Sequence, residues 1–329
     1  MLGTVCMTGI FDKTKSTFTA HKDTKMGTVT RKSMLQICGI DDPDLLTKEM
    51  VNSNLTKLQA KLMPKVKQNL NALYNQLMFV SNMPSGCHML RISSDLLPLF
   101  DHSVLSGVYD DTMLELVDVM LGRCKKLIDT KNIAVTTHPD QFVVINSTTE
   151  KTRTQSYSTL NYHKYFMERL TTSDKSCINI HLEGNLDHLP EFDNGLHQDL
   201  IPWLSFENSD KTGKVFTGDT DNTLDVCEKY SIKMLYDCHH HLVMTGEYIN
   251  VNSDMFSRVL ATWGNQTPIF HASQSRESDK IVRAHSDFID DPKVVEQVKA
   301  LSCVGYVEVE AKAKTSAVLD LFQKLVDLG

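Results

Sequence analysis

The segment YDCHHHL, residues 236–242, places one carboxylate and three consecutive imidazoles next to one another. The residues before it, SIKML, are apolar and β-branched and predict a buried strand that ends near Asp237. Strand side chains alternate between two faces, but residues three apart can converge once the chain turns. We therefore expect Asp237 and His240 to form a pair. His239 and His241 should lie on other faces, and His239 should matter least.

The elements that position these residues are short apolar runs that alternate with helical patterns. The predicted strands are residues 2–7, 87–93, 132–137, 177–182, 202–207, 232–237, 267–272 and 304–310. Eight strand-helix repeats predict a (β/α)₈ TIM barrel that forms a single domain over residues 1–329. A long polar insertion at about residues 8–56 follows the first strand, and a loop of that length is typically functional or partly disordered.

Six consecutive predicted strands end on, or within one residue of, a histidine or an acidic residue. Barrel active sites lie at the carboxyl ends of the strands, so these side chains should meet. A lone histidine at a strand end is more often structural than a ligand, but six successive coincidences disfavour that interpretation. The candidate ligands are His138, His181, Glu207, Asp237, His240, His271 and Glu310.

Mixed histidine and carboxylate ligands favour Zn²⁺, Mn²⁺ or Fe²⁺ over Mg²⁺ or Ca²⁺, which prefer oxygen alone. This many ligands implies more than one ion, with Glu207 as the expected bridging carboxylate. Neighbouring divalent ions suit phosphodiester hydrolysis, because they activate a water molecule and stabilise the leaving oxygen.

Composition argues against a membrane protein and against a secreted one. No apolar run reaches the length of about 18 residues needed for a membrane span. The first residues, MLGTVCMTGIFDKTK, have no basic region typical of a secretion signal, and the eight cysteines form no C-x-x-C motif. We expect an intracellular protein, cytoplasmic or nuclear. The net charge of −7 alone argues against a polyanionic partner, but residues 22–32 and 57–67 are locally basic.

A series of motifs in this order resembles the UV damage endonuclease family over roughly residues 60–312. The motifs are HPDQF, IHLEGN, SFENSD, YDCHHHL, FHASQ, RAHSDF and VEVEAK. The resemblance implies a TIM barrel related to endonuclease IV that carries a metal cluster, usually taken as manganese. It also implies a nick in DNA immediately 5′ of a distorting lesion such as a pyrimidine dimer.

The resemblance also implies site residues. His102 and His285 match two further family histidines, and Gln141 and Phe142 stand where the family has a Gln-Tyr pair that probes the lesion gap. The implied metal ligands are His102, His138, His181, Glu207, Asp237, His240, His271, His285 and Glu310, and the predicted catalytic residues among them are Glu207, Asp237, His240 and Glu310. We expect two to three divalent ions, manganese or alternatively zinc.

The expected partner is damaged double-stranded DNA, bound by a monomer without a membrane or a protein partner. Lys25, Arg31 and Lys32 of the insertion are candidate phosphate contacts, because the first loop lies on the active-site side of a barrel. A merely solvated, charged loop is the alternative interpretation of these three residues.

Three departures from the family pattern stand out. Ile269 replaces a family lysine two residues before His271, Thr4 stands where a tyrosine is expected, and residues 33–56 have no full counterpart.

Three other functions remain open. An endonuclease IV-like enzyme would act at abasic sites. A sugar isomerase with the same barrel would need a lysine near the metals and fewer histidines, and a non-catalytic damage-binding protein should have lost some ligands.

Overall fold

The described residues contain ten strands, and eight of them pair in parallel to close a barrel. The bounds of the ten are β1 Leu2–Val5, β2 Gly9–Asp12, β3 Thr17–Ala20, β4 Met89–Ile92, β5 Ala134–Thr137, β6 Ile178–His181, β7 Leu204–Glu207, β8 Lys233–Asp237, β9 Ile269–Ala272 and β10 Tyr306–Val309. The order of strands around the barrel is β1-β10-β9-β8-β7-β6-β5-β4. This computed structural model describes residues 1–192, 197–213, 216–276 and 283–329, with only the backbone of 190–192. The predicted (β/α)₈ TIM barrel is confirmed.

The helices lie outside the barrel and alternate with its strands along the chain. Their bounds are α1 Arg31–Ile37, α2 Lys48–Ser53, α3 Leu55–Val80, α4 Asp111–Lys131, α5 Glu150–Leu170, α6 Thr220–Tyr230, α7 Cys238–Thr245, α8 Asp254–Ala261, α9 Pro292–Ser302 and α10 Thr315–Asp327. Helix α3 shows why they pack there: Leu58, Leu62, Leu73 and Leu77 recur at helical spacing and are fully buried. None of the described helices combines the length and apolar composition needed to cross a lipid bilayer.

The insertion after β1 is ordered rather than a long loop, which corrects the expectation of partial disorder. Strands β2 and β3 form an antiparallel hairpin, and α1 and α2 follow it. The part of the insertion around residues 24–27 is bound to α3 by two buried polar side chains, Asn69 and Gln76. Asn69 exchanges hydrogen bonds with the backbone of Gly27 at 2.8 and 3.0 Å, and Gln76 donates to the Thr24 carbonyl at 2.7 Å. The segment therefore lies along α3, beside the carboxyl end of β1.

The half of the barrel interior nearer the amino ends of the strands is apolar. Met89, Leu235 and Ile269 pack there in one buried cluster. Below it, the Lys233 ammonium donates to the carbonyls of Ser176 and Pro202 at 2.9 and 2.8 Å, which satisfies a cation that burial would otherwise make costly. The amino ends of the strands are thus closed by packing, and polar side chains face the carboxyl ends.

Candidate metal centre

Glu207, at the end of β7, is the point at which the polar side chains of the barrel converge. It is 1% exposed. Its two oxygens face different histidines: Oε2 lies 3.2 Å from His138 Nε2, and Oε1 lies 3.0 Å from His271 Nδ1. The Asn179 amide donates to Oε2 as well. A buried carboxylate with an imidazole at each oxygen has the arrangement expected of a bridging ligand.

Two groups of side chains around Glu207 could each hold a cation. One is His138, His181 and Glu207, and the other is Glu207, Asp237 and His271. Within each group the potential ligand atoms lie within 4.8 Å of one another. Because Glu207 belongs to both, the geometry suits two neighbouring ions that share one carboxylate.

The remaining hydrogen bonds of these side chains fit a metal centre. His138 Nδ1 lies 2.7 Å from the Pro139 carbonyl, and His240 Nδ1 lies 2.8 Å from the Asn208 carbonyl. Donating one ring N–H to an oxygen leaves the other nitrogen as an electron-pair donor, as is typical of metal-binding histidines. Asp237 Oδ2 is buried without a hydrogen bond to any described residue, which a cation at this position would satisfy.

The charges of the site are strongly coupled. Burial alone would raise the pKa of Glu207, but His271 and His181 hold it well below its usual range. Burial would likewise lower the pKa of His240, but the carboxylates of Asp237 and Glu207 raise it to about 9. Burial lowers the pKa of His181 to about 4. The Glu207 carboxylate is therefore ionised near neutral pH, as a cation ligand must be.

Asp237 and His240 come together because the chain turns directly from β8 into α7. Asp237 is the N-cap of this helix, and its Oδ1 accepts the amides of His239 and His240 at 2.7 and 2.8 Å. This leaves Oδ2 for the site and directs His240 toward Glu207, whose Oε1 is 3.6 Å from His240 Nδ1. The predicted pairing of Asp237 with His240 matches this geometry.

The expectation that His239 lies on a face away from the site is wrong. Its Nε2 lies 2.9 Å from the Ser275 hydroxyl, and its ring contacts that of His285 at 5.7 Å between centroids. His241 instead turns outward, where its Nδ1 lies 2.7 Å from the Thr220 hydroxyl. A strand would place His239 on the face opposite His240, but in α7 its side chain is rotated by only about 100° from that of His240. His239 therefore stays close enough to the site to contact His285.

We expect alanine substitutions to rank His240 first, His239 second and His241 third in their effect on activity. His240→Ala removes a candidate ligand and should abolish most activity. His239→Ala should cost about 10- to 100-fold, as do losses of groups that support ligands, and His241→Ala only a few-fold. Incision rates and melting temperatures of the three variants test the order. A larger loss for His241→Ala than for His239→Ala, at equal stability, would contradict it.

Glu310, immediately after β10, extends the centre toward the opening. Its Oε1 lies 3.5 Å from His271 Nδ1, and its Oε2 lies 3.8 Å from His285 Nδ1. The Arg91 guanidinium forms a hydrogen-bonded ion pair with it. Burial alone would raise the pKa of Glu310, but Arg91 and His271 hold it well below its usual range. Of the two histidines that the family resemblance added, His285 is thus brought to the site.

His102 is not brought to the other candidate ligands. Its Nδ1 accepts the amides of Val104 and Leu105 at 3.2 Å each, so this nitrogen is used in a local turn. Burial and then the charge of Arg31 lower its pKa, and Asp101 opposes them. None of the described contacts of His102 involves the residues around Glu207.

An open cavity of about 720 Å³ lies over the centre and is lined by His138, His181, His240, His285 and Glu310. Gln141 and Phe142, in the turn after His138, form part of its rim. Phe142 is 78% exposed. The ring is therefore not packed beneath the loop that carries it. Lys25, Arg31 and Lys32 are exposed as well.

Sequence reasoning missed the polar residues inside the strands. Arg91, Thr136, Asn179 and Glu308 are all part of the hydrogen-bonded or ion-paired network beneath the cavity. A signal did exist: Glu308 and Glu310 are two residues apart in the predicted strand 304–310 and so share one face, and Arg91 is a charge within the apolar strand MLRI.

Comparison with known proteins finds relatives that match most of this chain. A chain from Bacillus mycoides (strain KBAB4) named UV DNA damage endonuclease is 27% identical over 257 residues, which is 74% of this chain and 77% of the relative. The same name belongs to a Bacillus cereus (strain 03BB102) chain, 27% identical over 80% of this chain and 83% of the relative.

The crystal structure of SacUVDE has the same fold, with a TM-score of 0.72 at 20% identity over 99% of this chain and 98% of that one. The UV-endonuclease UvdE family model matches residues 1–329. With its barrel and its cluster of histidines and carboxylates, the chain belongs to the UV-endonuclease UvdE family.

Proposed function

We propose that this protein is a metal-dependent endonuclease that cuts one strand of damaged duplex DNA immediately 5′ of ultraviolet photoproducts or other distorting lesions. Family membership makes it a DNA repair endonuclease. The observation that supports metal dependence is Glu207, whose two oxygens face two separate groups of candidate ligands. We further propose that one barrel domain acts as a monomer.

The proposed catalytic residues are Glu207, Asp237, His240 and Glu310. With His138, His181, His271 and His285 they would hold two to three divalent ions, Mn²⁺ or Zn²⁺. Such ions, when bound, supply positive charge that lowers the pKa of a water molecule and stabilises the leaving oxygen of the phosphodiester. The chain itself contributes ionised carboxylates, oriented imidazoles and an open cavity that admits a DNA backbone.

Gln141 and Phe142 are the proposed lesion-probing residues. An exposed aromatic ring can occupy the space left by unstacked bases, and an amide can bond base edges. An apolar side chain left in water at the rim of the cavity has no stabilising role in the free protein. This position supports contact with the distorted part of the duplex.

Phe142→Ala should weaken binding to lesion-containing DNA by about 10- to 100-fold, because stacking of one base on an aromatic ring contributes roughly 1–3 kcal/mol. Fluorescence anisotropy with damaged and undamaged duplexes measures the effect. Phe142→Tyr should retain affinity. Val119→Ala, which shortens an apolar side chain that is 62% exposed on α4, is the matched control. Equal affinity of Phe142→Ala and the native chain would rule out the probing role.

The triple substitution of Lys25, Arg31 and Lys32 by alanine should reduce the salt dependence of DNA binding. Each phosphate contact adds about 0.9 to the slope of log affinity against log salt, so the slope should fall by up to about 2.7. Lys25 precedes Gly27, and Arg31 and Lys32 follow it. Asn69 of α3 bonds both the Gly27 backbone and the Asp95 carbonyl beyond the carboxyl end of β4, which is the end of the barrel that carries the cavity.

A matched triple substitution, Lys126, Lys131 and Lys175 to alanine, removes the same charge away from the cavity. Lys131 ends α4 and Lys175 precedes β6, so both lie toward the amino ends of the strands. For this variant, the slope of log affinity against log salt should stay near that of the native chain. If the slope decreases equally in both triple variants, the insertion makes no specific phosphate contacts and is simply a solvated, charged segment.

The proposed substrate is tested by incision of three otherwise identical duplexes that contain a cyclobutane pyrimidine dimer, an abasic site or no lesion. Mn²⁺, Zn²⁺ and chelator are compared, and the product ends are mapped to the nucleotide. We expect a cut immediately 5′ of the dimer and none in the intact duplex. Cutting of the abasic duplex alone would replace the proposal with an endonuclease IV-like function.

A further inference from the structure

Glu308 is a buried carboxylate that is in neither group of candidate ligands. It lies inside the barrel on β10, in register with His271 of β9 and two residues before Glu310. It is 0% exposed. An ionised carboxylate in such a position costs several kcal/mol unless its partners compensate. The groups that compensate its charge therefore indicate the role of Glu308.

Two fixed groups and one candidate ligand surround Glu308. The Thr136 hydroxyl donates to Oε1, and the Arg91 guanidinium lies 3.4 Å from Oε2. His271 Nε2 lies 3.0 Å from the same Oε2 in an ionic contact. Both atoms are buried, and neither forms a hydrogen bond within the described residues, so the link between them is this close ionic contact. Thr136 at Oε1 and Arg91 at Oε2 thus hold the carboxylate in place, with Oε2 facing the imidazole.

The opposite nitrogen of His271 points into the candidate metal centre. His271 Nδ1 lies 3.0 Å from Glu207 Oε1 and 3.5 Å from Glu310 Oε1. A carboxylate behind an imidazole favours the tautomer with the proton on the near nitrogen and leaves the far nitrogen as an electron-pair donor. With Glu308 at Nε2, the donor nitrogen is Nδ1.

We propose that Glu308, anchored by Arg91 and Thr136, is a positioning residue that fixes the orientation and tautomer of His271 for cation binding. The inference deepens the proposed metal-dependent function and rests on it. Because Glu308 acts through His271, its effect on metal affinity must disappear when the imidazole is absent.

A double-mutant cycle on metal-stripped protein tests this dependence. Isothermal titration calorimetry with Mn²⁺ gives the dissociation constant of the native chain, Glu308→Gln, His271→Ala and the double variant. Glu308→Gln should weaken Mn²⁺ binding by about 10- to 100-fold in the native background. In the His271→Ala background, the same substitution should change the dissociation constant for Mn²⁺ by less than about three-fold.

Glu228→Gln is the matched control, because it also removes a carboxylate from an arginine pair, at Arg258 on the barrel exterior. It should leave the dissociation constant unchanged. Thr136→Val, which deletes only the hydroxyl that anchors Glu308, should weaken Mn²⁺ binding by about five-fold, the equivalent of one hydrogen bond. This gentler variant serves if Glu308→Gln does not fold.

The outcomes separate this inference from the proposed function. A native chain that binds no Mn²⁺ or Zn²⁺ overturns both. Tight binding by both the native chain and Glu308→Gln overturns the positioning role alone. Equal weakening by Glu308→Gln in both backgrounds also overturns it, because the effect would then be one of net charge and would not pass through His271.

Discussion

Glu207→Gln should lose metal binding and incision together. The amide keeps the shape of the side chain but removes the negative charge that faces His138 and His271 at 3.2 and 3.0 Å. Removing one partner of a buried, hydrogen-bonded charge pair at a binding site costs about 2–5 kcal/mol of binding free energy. At about 1.4 kcal/mol per factor of ten, the metal affinity should fall by roughly 30- to 4,000-fold. A neutral amide would also bridge two cations poorly.

Metal content from elemental analysis and single-turnover incision rates measure the two losses. Glu228→Gln is the control and should keep the native metal content and incision rate, since Glu228 pairs with Arg258 away from the cavity. Retention of both metal and activity by Glu207→Gln would show that this carboxylate is not the bridge. Loss of activity with full metal content would assign it a purely catalytic role.

Removal of divalent ions should abolish incision while the barrel stays folded. The metal-free site can take up protons instead: burial would lower the pKa of His271, but Glu207 and Glu310 raise it well above its usual value. A protonated imidazole can then balance the carboxylates that held the ions. Chelation followed by dialysis should give incision at background level, with circular dichroism unchanged, and Mn²⁺ should restore the rate.

The protonation that keeps the metal-free site stable predicts a pH dependence. A proton and a cation compete for the same imidazole electron pair. Burial would lower the pKa of His240, but Asp237 and Glu207 raise it to about 9. The affinity for Mn²⁺ should therefore rise with pH up to about this value and fall as the pH is lowered. Affinity that is flat between pH 6 and 9, or incision that survives exhaustive chelation, would contradict the metal centre.

The barrel and most of its candidate ligands were predictable from the sequence because parallel strands bring their carboxyl ends together. Once eight alternating repeats predict the barrel, His138, His181 and Glu207 must meet, whatever the loops between them do. The residues inside the strands were harder, because a strand of four residues such as MLRI does not reveal which face lines the barrel.

The position of His102 could not be derived from its local sequence. Its loop is held by contacts with α5, a helix far along the chain: Thr159 donates to the Asp101 carboxylate at 2.6 Å, and the Tyr162 hydroxyl accepts the Leu97 amide at 2.9 Å. The order of the insertion depends in the same way on Asn69 and Gln76 of α3. Local composition indicates a polar segment but not the distant side chains that fix it.

Arg91 has a consequence for the charge balance of the site. Four carboxylates, those of Glu207, Asp237, Glu308 and Glu310, lie buried or nearly buried around the site, and Arg91 forms ion pairs with two of them, Glu308 and Glu310. With neutral histidines, these four carboxylates and Arg91 carry three net negative charges. Two divalent ions would convert this excess into a single positive charge, and one phosphodiester would neutralise it. For these five groups, the guanidinium would thus match the charge of a pair of ions to that of a single phosphate of a DNA backbone.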